Sequence, residues 1–234
     1  RPKKAICECT WAQPGDRIAV YDRKSFLQTA EFTVKSVLPN GIFETEDMSG
    51  TVKPGCVLAN KAFFAAVHID GCTLRSTRAR GALIQTQNVL IENSYIYGIS
   101  YAGLLFSPDI KRWWEVAPAE NVEIRNNIFE HCSHASDTMP DGAVSFKASH
   151  DGESGEYPAG VHKNILIHNN RFKDFCGCGI FISAADSVRI EDNVFERDKT
   201  AQRQGFDIRL VNCRNTKIHN NRDDDFPERL ISIE

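Results

Sequence analysis

At 234 residues the chain is long enough for one large domain, or one domain with a smaller appendage. Its 41% hydrophobic and 25% charged content is globular, and a net charge of −3 with scattered Lys and Arg argues against nucleic-acid or anionic-membrane partners. No apolar run approaches the roughly 18 residues that a membrane-spanning helix needs.

The chain opens Arg1-Pro2-Lys3-Lys4 without an initiator methionine, so the numbering reads as that of a processed or excised piece. Eight cysteines follow: the C-x-C pairs Cys7/Cys9 and Cys176/Cys178, and the separate Cys56, Cys72, Cys132 and Cys213. Zinc sites use paired C-x-x-C knuckles or close Cys/His pairs, and neither is present; buried free thiols are the expectation. Residues 1–62 are expected to form a small antiparallel β-barrel or meander behind a short leading segment. Its strands are "GDRIAVYD", "AEFTVKSVL", "GIFETED" and "VKPGCVLAN", separated by Pro39-Asn40-Gly41 and Ser49-Gly50 turns.

From "NKAFFAAVHIDG" onward the rhythm changes. Residues 63–234 repeat one phrase: "AVHIDGCTL" from Ala66, "NVLIENSYI" from Asn88, "NVEIRNNIF" from Asn121, "NILIHNNRF" from Asn164, "SVRIEDNVF" from Ser187 and "NTKIHNN" from Asn215. Each is a short alternating strand, an Asn-rich turn and another apolar pair. Gly-opened strands precede most copies: "RGALIQ", "AGLLFS", "DGAVSF", "CGIFIS" and "QGFDIRL". Short strands on a shortest period of about 22 residues predict an all-β fold, a pectate-lyase-like parallel β-helix of about six coils. Asn93, Asn127, Asn170, Asn193 and Asn221 are expected to make the same left-handed bend in successive coils and to stack as a buried amide ladder.

The period breaks twice. From the opening glycine to the next repeat is 7 residues at Gly81 and 8 at Gly179, but 18 at Gly103 and 22 at Gly142. Successive coils therefore carry extra loops at one corner, 107–118 ("SPDIKRWWEVAP") and 147–163 ("KASHDGESGEYPAGVHK"). Coils stack about 4.8 Å apart, so both loops must emerge side by side. They supply Asp109, Glu115, Asp151 and Glu153 as candidate catalytic acids, with Glu156 a weaker one. Trp113, Trp114, Tyr157, His150 and His162 accompany them as candidate substrate contacts. Aromatic faces pack on a pyranose while one carboxyl protonates the leaving oxygen and another activates water or attacks. Backbone spacings of about 5 or 10 Å between coils leave inverting and retaining geometries both open.

Read together, "PGDRIAVYDRKS", "FTVKSV", "CTLRSTRARGALIQTQNVLIENSYI", the Asp-then-Trp-aromatic-Glu loop and "VHKNILIHNNRF" resemble glycoside hydrolase family 110, exo-acting α-1,3-galactosidases. The resemblance covers about residues 10–220. It implies a right-handed β-helix, release of terminal α-linked galactose with inversion, no metal or other cofactor, and a secreted or periplasmic location. It places Asp109, Trp113 and Glu115 at the sugar, with Arg78, Arg80 and His162 nearby. A guanidinium at Arg80 can fork onto two hydroxyls, orient a carboxylate, or simply pair with a loop acid. The family carries further coils upstream of the barrel, with an Asp-Asp segment that nothing in this chain matches. Gly-Asp is usual there where this chain has Pro108-Asp109. The chain thus reads as the later portion of the family's catalytic region, leaving room for self-association or upstream coils.

Two other readings stand beside it. In a polysaccharide lyase, Lys111 or Arg112 would abstract the proton alpha to a uronate with calcium neutralising the carboxylate. A non-catalytic solenoid would bind sugar through the same loops.

Overall fold

The computed structural model describes residues 11–39, 42–109, 116–135, 142–148, 157–196 and 205–234. They fall into two compact units, one within Arg1–Ala65 joined by Asp109–Ala117, the other Ala66–Pro108 with Pro118–Glu234.

The first unit holds one antiparallel sheet of β1 (Arg17–Tyr21), β2 (Gln28–Leu38), β3 (Ile42–Gly50) and β4 (Val57–Asn60), in the order β3-β2-β1-β4. It departs from a plain meander, because β4 returns to pair with β1 rather than continuing beyond β3. Alternation puts Ile18, Val20, Phe32 and Val34 into one core, closed by Trp11 edge-on to Phe43. The Asn60 side chain accepts from the Ala62 N–H and starts a short 3-10 turn, Lys61–Phe63, directly after β4.

The second unit is a parallel β-helix of six rungs. The first is β5 (Val67–Asp70), β6 (Thr73–Thr77) and β7 (Ala82–Ile84). The second is β8 (Val89–Glu92), β9 (Tyr95–Ile99) and β10 (Leu104–Phe106). The third is β11 (Glu120–Arg125), β12 (Ile128–Cys132) and β13 (Gly142–Phe146). The fourth is β14 (His162–His168), β15 (Arg171–Lys173) and β16 (Cys178–Ser183). The fifth is β17 (Ala185–Glu191), β18 (Val194–Glu196) and β19 (Ile208–Val211). The sixth is β20 (Arg214–His219), β21 (Arg222–Asp223) and β22 (Ile231–Ile233). Corresponding strands pair in parallel into three sheets, which we number by their order within a rung.

Register holds each apolar position above its counterpart, as in Val89↔Val122↔Ile165↔Val188. The same holds for rings: Phe129 stacks on Phe172 at 4.9 Å and Phe172 on Phe195 at 5.0 Å, while Phe106 lies 4.2 Å from Phe146. Burying each such side chain contributes about 1.5–3 kcal/mol. The glycines that open sheet three have a steric reason. A Cβ on Gly179 would sit 2.6 Å from a Phe195 ring carbon, and one on Gly103 would meet Ile96 and Cys132 at 3.0 and 3.2 Å.

The turn between sheets one and two divides its work between adjacent residues. Asn93, Asn126, Asn169, Asp192 and Asn220 take the left-handed bend, with φ from 52° to 57°. The residue after each one points inward: Ser94, Asn127, Asn170, Asn193 and Asn221 form the ladder. The backbone N–H of each of the first four donates to the carboxamide oxygen one rung on, at 2.9–3.1 Å. Each Nδ2 also reaches back to the carbonyl of Ile91, Ile124, Ile167 or Ile190 at 2.8–3.0 Å. Asn93 therefore belongs to the bend and not to the buried column, where Ser94 takes its level. In the αL conformation a side chain is carried outward, and only the next residue faces the core.

Of the described cysteines, Cys56, Cys72, Cys132, Cys176 and Cys213 are free thiols; Cys132 is buried, Cys72 exposed and the other three lie between. Burial pushes the Cys132 thiol up to about 12.

Candidate active site

Both interruptions leave sheet three and return at sheet one, between β10 and β11 and between β13 and β14, on consecutive rungs. Trp113, Trp114, Glu115, His150, Asp151, Glu153 and Glu156 lie outside the described residues, as do Lys111 and Arg112. Asp109 is half-buried and belongs to the first unit.

On the β-helix, Arg78 and Arg80 are exposed in the turn before β7. That turn is held by three hydrogen bonds: Thr77 Oγ1 donates to the Arg80 carbonyl at 3.0 Å, and the N–H groups of Tyr101 and Gly81 reach the carbonyls of Ala79 and Ala102. Tyr157, at the return of the second loop, is 6% exposed.

His162 is fully buried, so it presents no surface to a ligand. Its Nδ1 accepts from the Ala119 N–H at 3.1 Å and its ring stands edge-on to Phe146. Nδ1 must then be unprotonated, which assigns the proton of the neutral ring to Nε2; that atom faces the Lys147 carbonyl short of hydrogen-bond geometry. Burial pulls the imidazole down to about 4, against a small opposing pull from that carbonyl. His162 thus acts from inside the coil, holding the Ala119 backbone where the first interruption returns to sheet one.

Sequence reasoning passed over a group on the outer face of sheet three. Lys147 follows β13 directly. Its N–H donates to the Phe106 carbonyl at 2.9 Å, while Ser183 Oγ bridges the Phe146 carbonyl and the Ala148 N–H at 3.2 and 3.3 Å. The backbone is therefore clamped by the rungs on both sides. Its ammonium lies 5.9 Å from the Phe181 ring centre, and the Arg209 guanidinium stands at 5.9 Å from the same ring. Glu234 holds Arg209 through both oxygens, at 3.0 and 2.9 Å. Burial, assisted by the Arg80 charge, brings the Lys147 ammonium down to about 8. The alternation of "GIFIS" marks Phe181 as an outward aromatic, a signal the repeat analysis did not use.

Sheet one presents different chemistry. A shallow groove of about 380 Å³ is lined by Asn88, Asn121, Asn164, Leu90, Leu166 and Glu123. Its amides bond one another from rung to rung at 3.0 Å. Glu123 is committed to His168 and Arg125, which hold its carboxyl below the usual range. Nearby, the ligand atoms of His68, Asp70 and Glu92 lie within 4.8 Å of one another. Glu92 is already paired with Arg125 at 2.8 Å, however, and that cation supplies the charge a metal would bring. We read both features as solvated ion-pair and amide networks of the scaffold.

A stack of six parallel rungs with loops gathered at one corner defines the class of protein. The family described as the right-handed beta helix region matches residues 55–225, and the chain belongs to it. Within that class the chain is similar to alpha-1,3-galactosidases. Alpha-1,3-galactosidase A of Bacteroides thetaiotaomicron is 27% identical over 227 residues, covering 89% of this chain and 37% of the relative. Alpha-1,3-galactosidase B of the same organism is 25% identical over 242 residues, covering 96% and 38%. Alpha-1,3-galactosidase A of Shewanella woodyi reaches 35% over 108 residues, which are 46% of this chain and 17% of that protein. The chain spans just over a third of the length of the first two. These are the enzymes that the sequence motifs resemble. Among the described residues no helix is long and apolar enough to cross a membrane.

Proposed function

We propose that this chain forms the sugar-binding corner of an inverting glycoside hydrolase that releases terminal α-linked galactose from α-1,3-linked glycans. The observation that carries the reading is the pair of long insertions leaving the same sheet on consecutive rungs, rich in carboxylates and aromatics. Similarity to relatives named alpha-1,3-galactosidase supports the choice of sugar. Asp109 and Glu115 carry the essential acid and base chemistry, with Asp151 and Glu153 in support. Trp113, Trp114, His150 and Tyr157 shape the sugar's surroundings, and Arg78 and Arg80 offer hydroxyl donors from the first rung. We also propose a secreted or periplasmic location, as the family resemblance implies, which fractionation of the native host would test.

The direct experiment incubates the chain with p-nitrophenyl α-galactoside and an α-1,3-linked galactose disaccharide, following galactose release and the anomer first formed. Release with inversion is expected. Asp109→Asn and Glu115→Gln should each lower kcat by about 100-fold or more, the scale of a lost general acid or base. Galactose binding without release from a folded chain would assign binding here and turnover to a longer protein. A lyase would release nothing from these neutral galactosides and would instead cleave a uronate glycan in the presence of calcium, leaving an unsaturated sugar end.

A further inference from the structure

We infer that Gln85 and Gln87 are positioning residues for the acids of the first interruption, their side-chain amides stapling its departure to its return. The inference rests on the galactoside reading above and adds to it two residues that act through the loop and not on the sugar.

The chain passes from the first rung to the second by the short corner Gln85-Thr86-Gln87-Asn88, and from the second to the third by the first interruption. Register sets Ile84 beside Phe106 and Val89 beside Val122, so Gln85 is level with Ser107 and Gln87 with Glu120. Each amide takes the partner that this register offers. Gln85 Nε2 donates to the Ser107 carbonyl at 2.8 Å, and Gln87 Nε2 donates to Glu120 Oε2 at 3.2 Å. A carbonyl only accepts, which fixes the orientation of the Gln85 amide. Ser107 and Glu120 stand at opposite ends of the interruption, yet the amides that hold them are separated by Thr86 alone. The width of the loop's mouth is thus copied from the short corner beside it.

The rungs on the other side complete the grip. The Lys147 N–H donates to the Phe106 carbonyl at 2.9 Å, the Lys163 N–H to the Ala119 carbonyl at 3.0 Å, and His162 Nδ1 accepts from the Ala119 N–H at 3.1 Å. Pro108 and residues 116–119 are buried. Along the chain, Asp109 follows Ser107 and Pro108, while Glu115 stands just before the buried run. Both acids proposed for catalysis therefore leave the chain close to a held point. General acid and base chemistry is sensitive to misplacement by about 1 Å, and a fixed mouth limits it.

The test compares galactose release by the full chain with that of Gln85→Met and Gln87→Met, which keep side-chain length and remove the donor. Each should lower kcat by about 10- to 100-fold, the scale of acids displaced by about 1 Å, with KM within about two-fold of the parent's. Hydrogen exchange of peptides covering 104–108 and 116–122 should quicken in both. Gln85→Glu should be impaired at neutral pH, where its carboxylate faces a carbonyl, and should recover towards the parent as pH falls to about 4 and its O–H can donate. Lost stability alone would give no such recovery. Asn164→Ala removes an amide-to-amide bond from the scaffold and should leave kcat at the parent value. If the parent releases galactose and the folded methionine variants match its kcat, the inference is overturned while the galactoside reading stands. Unchanged exchange at the two ends of the interruption, or an equal loss in Asn164→Ala, would overturn it as well. If the parent releases no galactose, that reading and the inference fall together.

Discussion

Asn170 makes the most of a single side chain in this protein. Its carboxamide accepts from the Asn127 N–H and Nδ2 at 3.0 Å, and donates to the Asn193 oxygen at 3.0 Å and to the Ile124 carbonyl at 2.9 Å. Removing it strands buried groups on three rungs, so Asn170→Ala should cost about 2–4 kcal/mol, read as a lowered urea midpoint. Its neighbour Asn169 holds the bend, with φ 55°, and its exposed side chain bonds only the adjacent His168 ring at 2.9 Å, so Asn169→Gly should cost much less, under about 1 kcal/mol, in the same assay. His162 adds a pH dependence with a definite sign. Folding lowers its pKa from 6.5 to about 4, so the unfolded chain takes up the proton first as pH falls. Its contribution is full above about 6.5 and is withdrawn as pH falls to about 4, amounting to about 3 kcal/mol. His162→Gln should be less stable at neutral pH yet show a shallower loss through that window in urea titrations. The sequence made the asparagines visible but not their division of labour. Two adjacent Asn letters look alike, and which one bends while the other turns inward depends on the phase of the chain around the corner.

At the level of strands, most of the architecture was legible because each rung repeats one alternation and one turn chemistry. The loop positions followed from counting residues between glycines and repeats. What alternation cannot reveal is a strand's partner, which is why β4 beside β1 was not anticipated: the pattern of "CVLAN" marks faces and leaves edges open. Lys147 escaped for a related reason. Its chemistry comes from neighbours one rung away, more than thirty residues distant along the chain at Phe181, and no local motif marks it. The ring column offers a test of how strictly rungs depend on one another. Phe172 lies between two rings, so Phe172→Ala should cost about 3–5 kcal/mol by calorimetric melting. Gly179→Ala must push against Phe195 and should cost about 1–3 kcal/mol by the same measurement.

At the scale of the whole molecule, the described rungs are held by packed side chains and rung-to-rung hydrogen bonds. The free thiols sample that packing directly. Iodoacetamide should reach Cys72 in the native protein, while Cys132, buried and pushed up to about 12, should react only as its rung unfolds. Peptide mapping at increasing urea would read the order in which rungs open.

The amide column has a direction. At every level from Ser94 to Asn193 the backbone N–H points to the following rung, and from Asn127 to Asn221 the carboxamide oxygen accepts from the preceding one. The first rung joins in the same sense, the Cys72 N–H donating to Ser94 Oγ at 3.0 Å, so the column keeps one polarity and its two ends are not alike. A stack of this kind can be prolonged only head to tail. A two-fold pairing would set like ends against each other, whereas end-on addition never closes and grows into a filament. A coil protein built on such a column must therefore place something unlike a coil at its ends if it is to remain a discrete particle.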